Sequence, residues 1–267
     1  MAVVTVSRDL GSGGREVAWA LEKDPGYRYL DHEAILERIK SAGHRWEKWA
    51  QDFDEHPPRL WEKYDWSYRG FTALVQSTIL DEACEDRVTI IGRGGNYLLR
   101  DTPFALSIRV TAPLEARVAR FAEREAVDRD SARWLIEKTD RERAGFLYTV
   151  YERDGKDPTD YDMVFNSGQM SVEDITAAVR EEMLKKDLLR DENSVEALRM
   201  KALAARIKSR VLTALPFFMP TLEVEHTGGS LHLRGVVHLP RERDMVLHEA
   251  KALAGPVPVT SELRYRH

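Results

Sequence analysis

Apolar positions along the chain recur with two different periods. Val3 to Val6 is a short β-branched run closed by Ser-Arg-Asp, and just past the glycines that follow, Val17, Ala18 and Leu21 repeat at helical spacing. This predicts strand, loop, helix. Arg87 to Ile91 and Leu106 to Val110 are further strand-length runs, each followed by a turn or proline and then a helical pattern. Tyr161 to Phe165 is a fourth, and Ser171 with Asp174 after it reads as a helix-start capping pair. Strands alternating with helices imply an α/β fold, a parallel sheet flanked by helices.

Between the first two of these strands, Asp31 to Asp86 reads as largely helical, carries Trp46, Trp49, Trp61 and Trp66, and is broken at His56-Pro57-Pro58. Those tryptophans fit a helical insertion packing its aromatic face, the preferred reading, or a platform for stacking bases. Asp128 to Leu147 is helical, dense in arginine and without a clean apolar stripe, which suits a mobile cover. The charged run after Glu181 meets its first turn residues at Asp191-Glu-Asn-Ser, where a domain boundary is expected. Beyond it the pattern gives a helix (Val195 to Leu215), a strand (Thr221 to Glu225), the turn Thr227-Gly-Gly-Ser and a strand (Leu231 to Val237). A helix (Pro240 to Ala254) and a strand (Pro256 to Leu263) complete a small α+β domain whose first two strands form an antiparallel hairpin.

The 267 residues allow two unequal domains, and a formal charge of −5 with 32% charged residues argues against a nucleic-acid binder. Small anionic ligands stay open, because they need only a local cluster of arginines. One cysteine, Cys84, excludes an internal disulfide or a cysteine-based zinc site, and Glu82, Glu85 and Asp86 beside it favour the thiol. No basic leader precedes the first apolar run, and no apolar stretch approaches the roughly 20 residues a membrane span needs. A cytoplasmic protein is expected. His226, His232, His238 and His248 lack ligand spacing and read as surface histidines, so no protein metal site is expected.

Gly11 to Glu16 reads GSGGRE, between the first strand and its helix. Consecutive amides freed by glycine at the positive end of a helix can cup phosphate oxygens. Against the pattern G-x-x-x-x-G-K-[ST], however, Arg8 falls on the first glycine, Gly14 on the lysine and Arg15 on the Ser/Thr. A glycine-rich turn remains the alternative, with Arg15 able to supply the missing charge if phosphate binds.

Four stretches in order bear on this choice: VSRDLGSGGREVA; YLDHE at Tyr29 to Glu33; IIGRGGNYLL at Ile90 to Leu99; and TDRERAGF followed by DPTDYDMVFNS. Residues 1 to about 190 resemble the cytidylate kinase-like branch of the P-loop nucleoside monophosphate kinases, with an acceptor insertion at about 31–86 and a lid at about 126–147. The resemblance implies that Gly11, Ser12, Gly13 and Gly14 cradle the phosphates of ATP, with Arg15 beside them. It also implies that Arg93 holds the acceptor's phosphate and that Arg141 and Arg143 act from the lid, although Glu137, Asp140 and Glu142 also suit a solvated helix of ion pairs. Asp31 matches the mouth of the acceptor site and equally suits a helix cap.

This chain departs from cytidylate kinases at Ile91 and Gly94, where they carry aspartates, and no Ser or Thr follows the loop. Magnesium would then rest mainly on the nucleotide's phosphates and water, or on Asp9 or Asp31. The implied reaction is phosphoryl transfer from ATP to a nucleoside monophosphate, CMP or dCMP first, with a non-catalytic nucleotide sensor as the alternative. Residues 195–267 resemble a BON domain through their hydrophobic pattern and LRGVV, implying a ligand or protein partner for that region.

Overall fold

A computed structural model of the chain describes residues 2–40 and 66–266, in two compact units. The first unit grows around β1 (Val3–Arg8), whose Val3, Val4 and Val6 are fully buried. With β2 (Arg28–Leu30), β3 (Val88–Ile91), β4 (Ala105–Thr111) and β5 (Met163–Asn166) it forms a wholly parallel sheet in the order β2-β3-β1-β4-β5. Val4 lies level with Thr89 on one side and Leu106 on the other. The chain leaves β1 toward one edge and later returns to its other side, so the crevice at the carboxyl ends of β1, β3 and β4 is a topological switch point.

Three of the four expected strands sit where the pattern places them, β1 running on to Arg8 and β4 reaching Thr111. β5 begins at Met163, two residues later than expected, because Pro158–Asp160 forms a turn of 3-10 helix instead. β2 has no counterpart in the hydrophobic pattern.

α1 (Gly14–Glu22) lays Val17, Ala18 and Leu21 on the sheet, and α7 (Val172–Asp187) adds Ile175, Val179 and Met183 to the same core. Each such aliphatic side chain contributes about 1.5–3 kcal/mol by leaving water. The intervening helices are α2 (His32–Lys40), α3 (Trp66–Cys84), α4 (Gly95–Leu98), α5 (Leu114–Glu125) and α6 (Arg129–Tyr151). α5 and α6 share a small core of Val118, Phe121, Ala132 and Ile136. Asp128 caps α6 by accepting the amides of Asp130 and Ser131, and Ser171 caps α7 through the Asp174 amide as its spacing predicts.

The second unit contains α3 together with α8 (Glu192–Ala214), β6 (Glu223–Thr227), β7 (Ser230–Val237), α9 (Pro240–Ala254) and β8 (Val259–Tyr265). β6 and β7 pair antiparallel, with Thr227 opposite Ser230 around the two glycines, and β8 joins β7 in parallel after the α9 crossover. Ile207, Val211, Leu231, Leu233, Val246 and Ala250 fill the core, which Ala73 of α3 enters. Trp66 donates its indole N–H to the Leu212 carbonyl at 2.7 Å and stands against Phe218, a packing role. Trp46, Trp49, Trp61 and His56-Pro57-Pro58 lie outside the described residues. Asp81 pairs with Arg206 at 2.7 Å. Among the described residues no helix is long and apolar enough to cross a membrane.

Candidate functional site

The segment between β1 and α1 is pinned from both sides. The Ser12 hydroxyl, fully buried, donates to the Val110 carbonyl at 2.8 Å, and the Ser12 carbonyl accepts the Ser167 hydroxyl at 2.6 Å. Gly13 precedes α1 with φ 84°, a left-handed turn that a side chain would strain, and no side chain caps the helix. The first-turn amides of Gly14, Arg15 and Glu16 therefore lack intrahelical acceptors and sit at the positive end of the helix dipole. Backbone, not side chains, supplies the donors that this helix start could offer to an anion.

Beside the loop lies a cavity of about 280 Å³. Arg8, Arg93, Arg109, Arg117, Arg143 and Lys156 face it, against Asp9, Asp140 and Asp154. Arg109 is matched by Asp9 at 2.7 Å and Arg117 by Asp140 at 2.6 Å. Six cationic side chains and three carboxylates line the cavity, so its lining carries a net positive charge.

Arg93 is placed by a strained turn. Gly92, Arg93 and Gly94 all have positive φ, at 68°, 54° and 71°. A non-glycine residue held there at the end of a parallel strand marks a site whose geometry overrides backbone preference. The Tyr151 hydroxyl donates to the Arg93 carbonyl at 2.9 Å, and the guanidinium stands 5.6 Å from the Phe146 ring centre. Arg93 also donates to His32 Nδ1 at 2.5 Å, which makes that ring nitrogen the acceptor because a guanidinium has no lone pair to offer.

α6 presents one face to this cavity. Asp140, Arg143, Ala144 and Leu147 line the cavity at helical spacing, and Arg143 Nη1 reaches the Arg8 carbonyl at 3.5 Å. Arg141 lies about 200° around the helix from Arg143, is exposed, and does not line the cavity. The implied pair of lid arginines is therefore divided in this arrangement.

Arg15 is exposed too, its guanidinium 5.7 Å from the Trp19 ring centre one turn on. Asp31 accepts the Ala34 amide at 3.0 Å and caps α2. The Tyr29 hydroxyl beside it is buried without a hydrogen-bond partner. Burial first, then the Asp31 charge, push that phenol above its ordinary pKa, while Arg15 and Arg8 pull the other way. Among the described residues no group of three His, Asp or Glu side chains converges as a metal site. Asp9 is paired with Arg109, and Asp31 is taken up by a helix end.

Sequence reasoning missed Arg8, Asp140, Arg109, Arg117 and Lys156. Arg8 was visible as the residue on the first glycine of the loop pattern. The Arg109–Asp9 and Arg117–Asp140 pairs join residues far apart in the chain and leave no local signal.

Residues 3–169 match the cytidylate kinase-like family. The cytidylate kinase of Pyrococcus abyssi is 25% identical over 179 residues, spanning 67% of this chain and 91% of its own length. That of Thermoplasma acidophilum is 26% identical over 190 residues, spanning 69% and 95%. A crystal structure of an uncharacterized protein from Eubacterium ventriosum superposes with a TM-score of 0.55 at 22% identity, covering 68% of this chain and 98% of that one. This last likeness concerns the fold alone.

Proposed function

Because the chain belongs to the cytidylate kinase-like family, we propose that its first unit transfers the γ-phosphoryl group of ATP to a nucleoside monophosphate, with CMP or dCMP the first acceptors to test. An oxygen of the acceptor's phosphate attacks the γ-phosphorus, the bond to the β,γ-bridging oxygen breaks, and ADP leaves. The amides of Gly11, Gly13 and Gly14 at the start of α1 hold the donor phosphates, and Arg93 holds the acceptor's phosphate. Arg143 reaches the transferring group from the lid, where fixed cations stabilise spreading charge and the covering helix excludes water. Magnesium, bound through the nucleotide, neutralises the phosphate charge.

The observation that carries this reading is the cationic cavity at the carboxyl ends of β1 and β3, beside a helix start whose amides face outward from the loop. A coupled assay with ATP, magnesium and each nucleoside monophosphate tests it. Turnover should require an acceptor, and Arg143→Ala should lower kcat far more than Arg141→Ala; no turnover on any acceptor sinks it.

One observation favours a second reading, a nucleotide sensor that binds ATP without turnover. Ser12 and Asp9, the loop's polar side chains, are both committed to protein partners. Tight ATP binding with no product would support the sensor. In either case the second unit, with its helix-strand-strand-helix-strand order after residue 191, suits the BON-like reading and a ligand or protein partner of its own.

A further inference from the structure

Positions 8 and 14 compete for one volume. A Cβ added at Gly14 would lie 2.6 Å from the Cβ of Arg8 and 3.2 Å from its Cγ. Carbon atoms are at ease no closer than about 3.5 Å, and a Cβ cannot swing aside as a side-chain tip can. Gly14 sits in the first turn of a helix and not at positive φ, so its backbone would accept any residue. What bars a side chain there is Arg8. From that crowded point Arg8 runs on until Nη1 covers Gly92, in the turn that carries Arg93, and it lines the cationic cavity.

In the pattern G-x-x-x-x-G-K the first position is bare and the seventh bears the cation. Here position 8 is the first and position 14 the seventh. We infer that Arg8 is the cation of this phosphate loop, and that Arg8 and Gly14 are an exchanged pair in which the charge has moved from the helix start to the strand end. The inference rests on the phosphoryl-transfer reading and deepens it. It takes the loop's charge away from Arg15, which stands exposed over Trp19. A guanidinium entering between the loop amides and Arg93 can offer two donors to oxygens of one polyphosphate, where a lysine offers a point charge.

The exchange should be reversible. Arg8→Gly removes the cation and the obstruction together; Gly14→Lys alone drives a side chain into Arg8; the double variant Arg8→Gly/Gly14→Lys restores the usual order. The experiment is calorimetric titration of each full-length variant with MgATP, after circular dichroism has shown it folded. Relative to the unmodified chain, Arg8→Gly should weaken binding about ten- to a hundredfold, the span expected for a lost charged hydrogen bond. The double variant should recover most of that loss, and Arg8→Lys should lose less than Arg8→Gln. A double variant binding no tighter than Arg8→Gly, or Arg15→Ala costing more than Arg8→Gly, would overturn the inference while leaving nucleotide binding in place. Failure of the unmodified chain to bind MgATP would overturn the phosphoryl-transfer reading and this inference with it.

Discussion

Asp140 accepts the amide of Leu10 at 3.1 Å, so a carboxylate of α6 is fastened to the chain just where the glycine loop begins. Its other oxygen takes Arg117 Nη1 at 2.6 Å, and Arg117 in turn donates to the Leu10 carbonyl. Asp140→Ala would leave the guanidinium of buried Arg117 without its carboxylate. The expected cost is about 1–3 kcal/mol, seen as a lower urea midpoint. Asp140→Asn, which keeps an acceptor for Leu10, should cost less.

Ser12→Ala tests what the loop hydroxyl does. It removes the bond to the Val110 carbonyl, which still receives the Asp9 amide at 3.3 Å. The loss should be modest, about 0.5–1.5 kcal/mol in thermal or chemical unfolding. With that hydroxyl turned into the protein, the magnesium concentration giving half-maximal turnover should not move; a large shift would show the hydroxyl meeting the metal.

Gly94→Ala should be severe. The new methyl would overlap the Tyr151 ring at a backbone angle, φ 71°, that L residues avoid. Displacing Tyr151 also breaks its bond to the Arg93 carbonyl. We expect a fall of several degrees in Tm and a raised KM for the acceptor, with Tyr151→Phe losing about 1 kcal/mol and keeping the turn.

Acid sensitivity should have an identifiable source in Asp162. Burial alone would raise its pKa, but Lys186 Nζ at 2.8 Å, the Ser107 amide at 2.7 Å and the Ser107 hydroxyl at 3.0 Å outweigh burial and hold it below the ordinary value. A carboxyl depressed in the folded state adds stability that is complete above its unfolded pKa, about 3.9, and is lost as pH falls through the folded one. Urea midpoints measured from about pH 5 down to pH 2 should therefore fall less steeply for Asp162→Asn than for the unmodified chain.

How much could be read beforehand depended on how local each signal was. β1 and β3 announce themselves as short β-branched runs buried along most of their length, and β4 through Leu106, Ile108 and Val110 alternating with half-buried Ser107 and Arg109. β2 did not, since Arg28-Tyr29-Leu30 buries only Leu30 and is too short for alternation to show. The glycine loop was legible, but which neighbouring arginine faces the cavity was not. Arg15 is adjacent in sequence and turned to Trp19, whereas the claim of Arg8 depends on two Cβ positions meeting across the loop. Likewise, Arg141 and Arg143 read as a pair along the chain, and only the turn of the helix separates them. The family motifs place these arginines along the chain; side-chain direction decides which of them line the cavity.

The make-up of the second unit bears on how the protein is synthesised. α3 is translated well before α8 and β6 to β8, yet Ala73 and Asp81 find their partners among residues that follow Ser194. A nascent chain halted at that point would display the helix with one side unsatisfied, so closure must await synthesis of α8 and β6 to β8. Any ribosomal stall between α3 and β8 would expose apolar surface to chaperones, and a gene split at residue 194 would part the second unit from Ala73, a piece of its own interior.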